Sequence, residues 1–186
     1  MKATGIVRRI DDLGRVVIPK EIRRTMRIRE GDPLEIYTDR EGEVIFKKYS
    51  PIGELASFAS QYAETLYKTC NMSVLISDRD AVIASAGVSR KEYSEKRLSD
   101  AMENIIEGRS VYLHREGMEK LSPVSDTASG HFVSCAMPII SEGDVVGCVI
   151  SLSDGSGERA RDFTSSDVES KLVVTAAGFL GRQLES

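Results

Sequence analysis

The sequence predicts an α+β protein of two domains, a small strand-rich module followed by a larger domain of sheet and helices. Three observations lead there. Residues 5–48 alternate β-branched runs with Asp/Gly turns and leave room for only one helical turn. The stretch Tyr49-Ser50-Pro51-Ile52-Gly53 then breaks every periodicity, because Ser50 before Pro51 is biased away from helix and Gly53 adds a joint. Beyond it, apolar residues at helical spacing give way to strands and return at the end of the chain. These signals place the first domain at 1–50, a short linker at 51–54 and the second domain at 55–186.

In the first domain, Gly5 to Ile10 reads as a strand, Asp11-Asp12-Leu13-Gly14 as a turn, and Arg15 to Ile18 as the partner strand. Gly14 suits the tight end of a hairpin because it takes φ > 0 without cost, and Val16, Val17 and Ile18 prefer a pleated strand. Pro19 opens a helix at its first position, where a missing N–H costs nothing, and that helix runs to about Arg27. Ile22 and Met26 share one of its faces, so Arg23, Arg24 and Arg27 point elsewhere. After Glu30-Gly31-Asp32-Pro33, the runs Leu34–Thr38 and Glu43–Lys48 flank Asp39-Arg40-Glu41-Gly42 as a second hairpin. A piece this small buries too little surface to stand alone. An obligate dimer of interleaved hairpins is expected, since it completes both cores and pairs the strand edges.

Charge is uneven across the boundary. Residues 1–49 hold twelve Lys or Arg against nine Asp or Glu, a balance of +3, while the remainder of the chain carries −7. A basic module on an acidic body is the asymmetry of a nucleic-acid binder with a second domain attached, although scattered solvated charge gives the same sum. Arg29, Arg40, Lys47 and Lys48 read as solvated edge charges that discourage sheet aggregation.

The run from Thr4 to Arg24, with Leu13-Gly14-Arg15-Val16-Val17-Ile18-Pro19-Lys20 at its centre, resembles the AbrB-type transition-state regulators. Leu34-Glu35-Ile36-Tyr37 and Val44-Ile45-Phe46-Lys47-Lys48-Tyr49 continue that likeness through the final strand of the domain. The resemblance implies a domain-swapped hairpin β-barrel, dimeric, that binds double-stranded DNA. It also implies that Arg8, Arg15, Arg23 and Arg24 line the DNA-facing surface with Arg9 beside them, and all of these positions are arginine here. Each guanidinium offers a planar fork suited to phosphate oxygens and guanine edges. Phosphate contacts would supply most of the affinity and make it salt-dependent. No helix-turn-helix pattern is visible, so DNA shape should matter beside base reading.

In the second domain, Leu55, Phe58, Ala59, Tyr62, Leu66 and Cys70 form one helical stripe. Ser73–Ser77 and Ala81–Ser85 read as strands joined by Asp78-Arg79-Asp80, and a helix is expected across Leu98 to Glu107, with Met102, Ile105 and Ile106 buried and Gly108 as its stop. Val111–Leu113 suggests a short edge strand. His131–Ile140 and Val145–Leu152 are the strongest strands, turned by Ser141-Glu142-Gly143-Asp144. A mobile loop is expected over 154–162. The closing helix starts with a capping box, Ser166 and Glu169, and runs to about Leu184.

That order of elements resembles a GAF sensor domain over roughly 55–182, most clearly in Met137-Pro138-Ile139-Ile140 and Gly143 to Ile150. The resemblance implies a sheet with helices on one side and a small-molecule pocket on the other. No chromophore-type cysteine motif or cyclic-nucleotide signature appears, so no ligand is named and no cofactor is expected. The closing helix is apolar on two faces, through Val168, Leu172, Val173, Ala176, Ala177, Phe179, Leu180 and Leu184. Either it joins copies into a homotetramer through helices of this domain, as the resemblance also implies, or it thickens the core of each monomer. Ala176, Ala177 and Gly178 would let a neighbouring helix come close.

Enzyme chemistry finds no support. His114 and His131 have no metal-ligand partner three or four residues away, Gly-x-Ser-x-Gly is absent, and Gly155-Ser156-Gly157 lacks the third glycine of a phosphate cradle. Asp11-Asp12 lies in a turn, where aspartate bonds local backbone. Cys70, Cys135 and Cys148 have no paired spacing and read as reduced, buried or half-buried thiols, and no membrane span or secretory h-region is seen. The expected protein is a cytoplasmic, sequence-preferring DNA-binding regulator, and the resemblance to the AbrB-type regulators implies that it acts on late sporulation genes, as activator of some and repressor of others. The rival is an antitoxin-like interaction protein whose swapped barrel holds a protein partner.

Overall fold

The computed structural model describes residues 5–125, 130–155 and 166–185. The chain divides into two compact units, Met1–Tyr49 and Ser50–Ser186.

The first unit holds α1 (Lys20–Met26), β1 (Leu34–Thr38) and β2 (Val44–Lys48). β1 and β2 pair antiparallel, with Leu34 opposite Lys48 and Thr38 opposite Val44. Asp39 builds their turn: its Oδ1 accepts the N–H of Glu41 at 3.0 Å and of Glu43 at 2.8 Å, and Gly42 takes φ 85°. Asp11 repeats that construction. Its Oδ1 accepts the N–H of Leu13 at 3.0 Å and of Arg15 at 2.7 Å, with Gly14 at φ 77°. Two Asp-x-x-Gly turns of one design therefore lie in the unit, each the end of a hairpin.

Their flanks differ. Residues 5–10 and 15–18, expected as paired strands, carry no strand assignment within the single chain, which shows one complete hairpin and the turn of another. Val7 is 85% exposed, Ile10 68% and Val17 70%, and a two-stranded ribbon that buries nothing gains too little to hold its pairing. Pro19 also differs from expectation. It is the N-cap of α1, with ψ 147°, and its carbonyl accepts the Arg23 N–H at 2.9 Å.

The second unit opens with α2 (Pro51–Glu54), where a linker was expected. Pro51 starts the turn, and Ile52 is wholly buried in the unit's core, so this segment belongs to the domain. There follow α3 (Ala56–Cys70), β3 (Ser73–Ser77), β4 (Val82–Ala86), α4 (Arg90–Tyr93), α5 (Asp100–Glu107) and β5 (Tyr112–Leu113). β6 (Phe132–Ser141), β7 (Asp144–Ser153) and α6 (Ser166–Gln183) complete it. The five strands form one antiparallel sheet in the order β4-β3-β7-β6-β5.

Both faces of the sheet are covered, where helices on one side only were expected. α3 presents Ala59, Ala63 and Leu66, and α6 presents Val173, Ala176, Ala177 and Leu180, against Val74, Ile76, Ile139 and Val149. The opposite face packs Leu75, Cys148 and Ile150 under Met102 and Ile106 of α5 and Tyr93 of α4. β3 is therefore buried along its whole length, and each fully covered Leu, Ile or Met side chain contributes about 1.5–3 kcal/mol. Two glycines permit backbone contact: a Cβ on Gly147 would collide with the Ser77 carbonyl, and one on Gly181 with the Ile140 carbonyl. The α5 start is capped by Ser99, whose Oγ accepts the Met102 N–H at 3.2 Å.

The expected capping box of α6 is not formed as such. Ser166 is already helical, and the Glu169 carboxylate accepts the Ser134 hydroxyl of β6 at 3.0 Å. From residue 156 onward, the loop expected at 154–162 lies outside the described residues.

Candidate nucleic-acid interface

The first unit displays guanidinium groups on a scaffold of turn and helix. Arg8 and Arg9 stand exposed on the segment before the Asp11 turn. Arg15 leaves that turn, and its Nε donates to Asp11 Oδ2 at 2.8 Å while 69% of its side chain stays exposed. Asp11 thus fixes Arg15 twice, through the backbone N–H and through the guanidinium. These bonds, the backbone one foremost, hold its carboxyl below the usual carboxylate range. The i,i+4 pairing could have been read from the turn, because a closed Asp-x-x-Gly turn brings residues 11 and 15 face to face.

Arg23 and Arg24 are exposed in the last turn of α1. Ile22 is half-buried on another side of the helix, as the spacing required, while Met26 remains 48% exposed. α1 ends at Arg27, a non-glycine residue in the left-handed region with φ 52° and ψ 42°. Lys48, expected as a solvated edge charge, departs from that reading. Its side chain is only 25% exposed, and its Nζ donates to the Arg27 carbonyl at 3.0 Å and lies 3.5 Å from Asp32. Strand alternation could have indicated this, since Lys47 and Lys48 must point to opposite sides of β2.

The second unit carries two features of interest. On the outer side of α3 and α6, the rings of Phe58, Tyr62 and Phe179 cluster with centroids 5.6–6.4 Å apart, and Phe179 is 41% exposed. Val168 and Val174 are exposed on α6 as well, and Gly178 has open space beside it. Ala176 and Ala177, expected to admit a neighbouring helix, instead face the unit's own sheet. On the other side, His114 packs edge-on against Phe132 and His131 against Tyr93. Both histidine Nδ1 atoms and the Tyr112 hydroxyl are buried without a hydrogen-bond partner. Burial pushes the Tyr112 hydroxyl up, the Cys135 thiol up to about 12 and the Cys148 thiol higher still, so neither thiol is a nucleophile near neutral pH. Among the described residues, no group of three or more His, Cys, Asp or Glu could hold a metal ion, and no helix is long and apolar enough to cross a membrane.

Comparison with known proteins assigns both halves. Residues 54–185 match the family described as stage V sporulation protein T C-terminal, transcription factor. Residues 7–53 match antidote-toxin recognition MazE, bacterial antitoxin. The chain is 52% identical over 187 aligned residues to the stage V sporulation protein T of Bacillus subtilis strain 168, covering 100% of this chain and 99% of that protein. It is 43% identical over 101 residues to the transition state regulatory protein AbrB of the same organism, covering 54% of this chain and 88% of the relative. Among solved structures, the type II free methionine-R-sulfoxide reductase from Thermoplasma acidophilum covers 72% of this chain and 95% of its own, with a TM-score of 0.51 at 11% identity. At that identity the likeness concerns the fold alone.

Proposed function

The chain belongs to the stage V sporulation protein T family of transcription factors, and from that membership we propose that its first unit grips double-stranded DNA as a dimer through Arg8, Arg9, Arg15, Arg23 and Arg24. One observation carries this reading. The segment 5–18 exposes Val7, Ile10, Val16 and Val17 together with three of these arginines. A second copy that covers the valines and isoleucine buries eight such side chains, on the order of 10 kcal/mol before the entropy of association. The arginines of both copies then share one assembly, and their forks hold phosphate oxygens while releasing counterions. The hairpin swap is the form this dimer takes, because two Asp-x-x-Gly turns of one design per chain offer one hairpin and the turn of a second to interleave.

The second unit joins such dimers into a tetramer through the aromatic face of α3 and α6 and responds to a small molecule or partner. Its effect on transcription follows from the pose of two DNA-gripping dimers. A regulator that works on chromosomal DNA acts in the cytoplasm.

Binding of duplex DNA by the wild-type chain and by Arg23→Ala/Arg24→Ala, measured across a salt series, tests the proposal. The variant should bind more weakly, with a log–log salt slope shallower by roughly 0.9 per lost phosphate contact. Equal binding by both, or none by the wild type at low salt, overturns it. The antitoxin-like reading would then return, since the match over residues 7–53 also fits a barrel that holds a protein partner.

A further inference from the structure

We infer that Lys48 is a positioning residue for DNA recognition: held by the buried Asp32, its ammonium locks the end of α1 and so fixes the stems of Arg23 and Arg24. The inference rests on the proposal that those two arginines touch DNA.

The end of α1 needs such a lock. A left-handed residue at a helix C-terminus is ordinarily glycine, and a side chain there costs about 1–2 kcal/mol. Arg27 occupies that position at φ 52°. The bonds that close this end fall on the carbonyls of the two arginines: Ile28 N–H donates to the Arg23 carbonyl at 2.8 Å, and Arg27 N–H to the Arg24 carbonyl at 3.3 Å. The aim of both guanidiniums therefore depends on Arg27 keeping its unfavoured conformation. What holds it is remote in sequence. Lys48 Nζ reaches back 21 residues and donates to the Arg27 carbonyl at 3.0 Å.

Lys48 is itself held from two sides. Its ammonium lies 3.5 Å from Asp32 Oδ2, whose side chain is only 3% exposed, and the same oxygen accepts the Arg29 N–H at 2.8 Å. A carboxylate so deeply buried keeps a cation beside it, because the unpaired charge is costly. The backbone of Lys48 pairs with Leu34 in the ladder, and the next residue donates its N–H to the Pro33 carbonyl at 3.0 Å. Lys48 is also the last residue of β2, two positions before the second unit begins. The lysine acts through Arg23 and Arg24 and is not itself a phosphate contact.

A double-mutant cycle on the full-length chain separates these roles. Lys48→Met keeps the aliphatic stem and removes the ammonium. In the wild-type background, affinity for duplex DNA should fall roughly tenfold, the order of one charge-assisted hydrogen bond. In the Arg23→Ala/Arg24→Ala background, where Arg8, Arg9 and Arg15 still bind at low salt, the same substitution should change affinity by less than about twofold. Lys48→Arg, which keeps the charge and the donors, should restore binding. Equal losses in both backgrounds would make Lys48 a direct phosphate contact or a general fold determinant, and no loss in the first would remove its role; either overturns the inference. If the arginine pair itself proves silent, the reading beneath fails instead. Should Lys48→Met not fold, Asp32→Asn serves in its place, since it keeps an acceptor for Arg29 and removes the charge that holds the ammonium. The same non-additivity is expected of it, and its absence would be equally fatal.

Discussion

The two units of this chain solve the problem of burial in opposite ways. Apart from Pro19, the buried apolar residues among those described belong to the second unit, which covers both faces of a five-stranded sheet with its own helices. The described residues of the first unit carry apolar side chains of the same kind, yet Val7, Ile10, Leu13, Val16, Val17, Ile36 and Val44 all stand exposed. The contrast is not one of composition. It reflects contact geometry: the second unit closes a core on itself, and the dimer proposed above would cover the apolar side chains that the first unit leaves exposed.

The comparison breaks most visibly if charge is placed on the unfinished half. Val16→Asp/Val17→Asp puts one carboxylate on each side of the extended segment, by strand alternation. The variant should lose the first-unit dimer and DNA binding at every salt concentration, while the second unit keeps its melting transition. Sedimentation and calorimetry would show this. A variant that still dimerises through the first unit would mean that segment 5–18 is not covered by a second copy. The reciprocal change is smaller. Gly147→Ala drives a methyl group into the Ser77 carbonyl at the centre of the second unit's sheet and should cost about 3 kcal/mol there. The Cys148 thiol, buried beside it, would become open to alkylation at lower denaturant, while the DNA-binding salt slope should not change.

The sequence was most legible where one chain suffices. Spacing located α3, α5, α6 and the strands β3, β4, β6 and β7 to within a few residues, because each buries its face against the same chain. It failed on Tyr93, whose short helix has no period to read, and on Ile52, which Pro51 and Gly53 disguised as part of a linker. Glu169 was misread because a local capping pattern competes with a tertiary partner, Ser134, that no spacing announces. In the first unit, the arginines were legible as exposed charges, and their setting was not. Lys48 looked like any edge lysine until the 21-residue return to Arg27 appeared. Residues 5–10 and 15–18 have the composition of strands, yet no strand is assigned to them within the single chain.

A finer contrast lies within the first unit, between its two Asp-x-x-Gly turns, which share the bonds from the aspartate to the backbone and differ in what else that aspartate holds. Asp39 bonds only backbone in its turn, whereas Asp11 also holds the Arg15 guanidinium at 2.8 Å. The Asp11 carboxyl is held below its ordinary 3.8, so in the folded chain it stays ionised at a pH where an unfolded one is half protonated. Its contribution is therefore present above the unfolded carboxyl's range and disappears as pH falls through the lowered value. The exposure of the pair makes the stability effect small, so the readout belongs in DNA binding rather than in melting. Asp11→Asn keeps an acceptor for the backbone and removes the charge on Arg15. It should leave the fold intact and shift affinity modestly, roughly twofold to fivefold, the scale of one exposed ion pair. The direction is informative. Weaker binding means that Asp11 aims Arg15 at the DNA, and tighter binding means that it competes with phosphate for the same guanidinium. No change at all would place Arg15 outside the interface, leaving Arg8, Arg9, Arg23 and Arg24 to carry it.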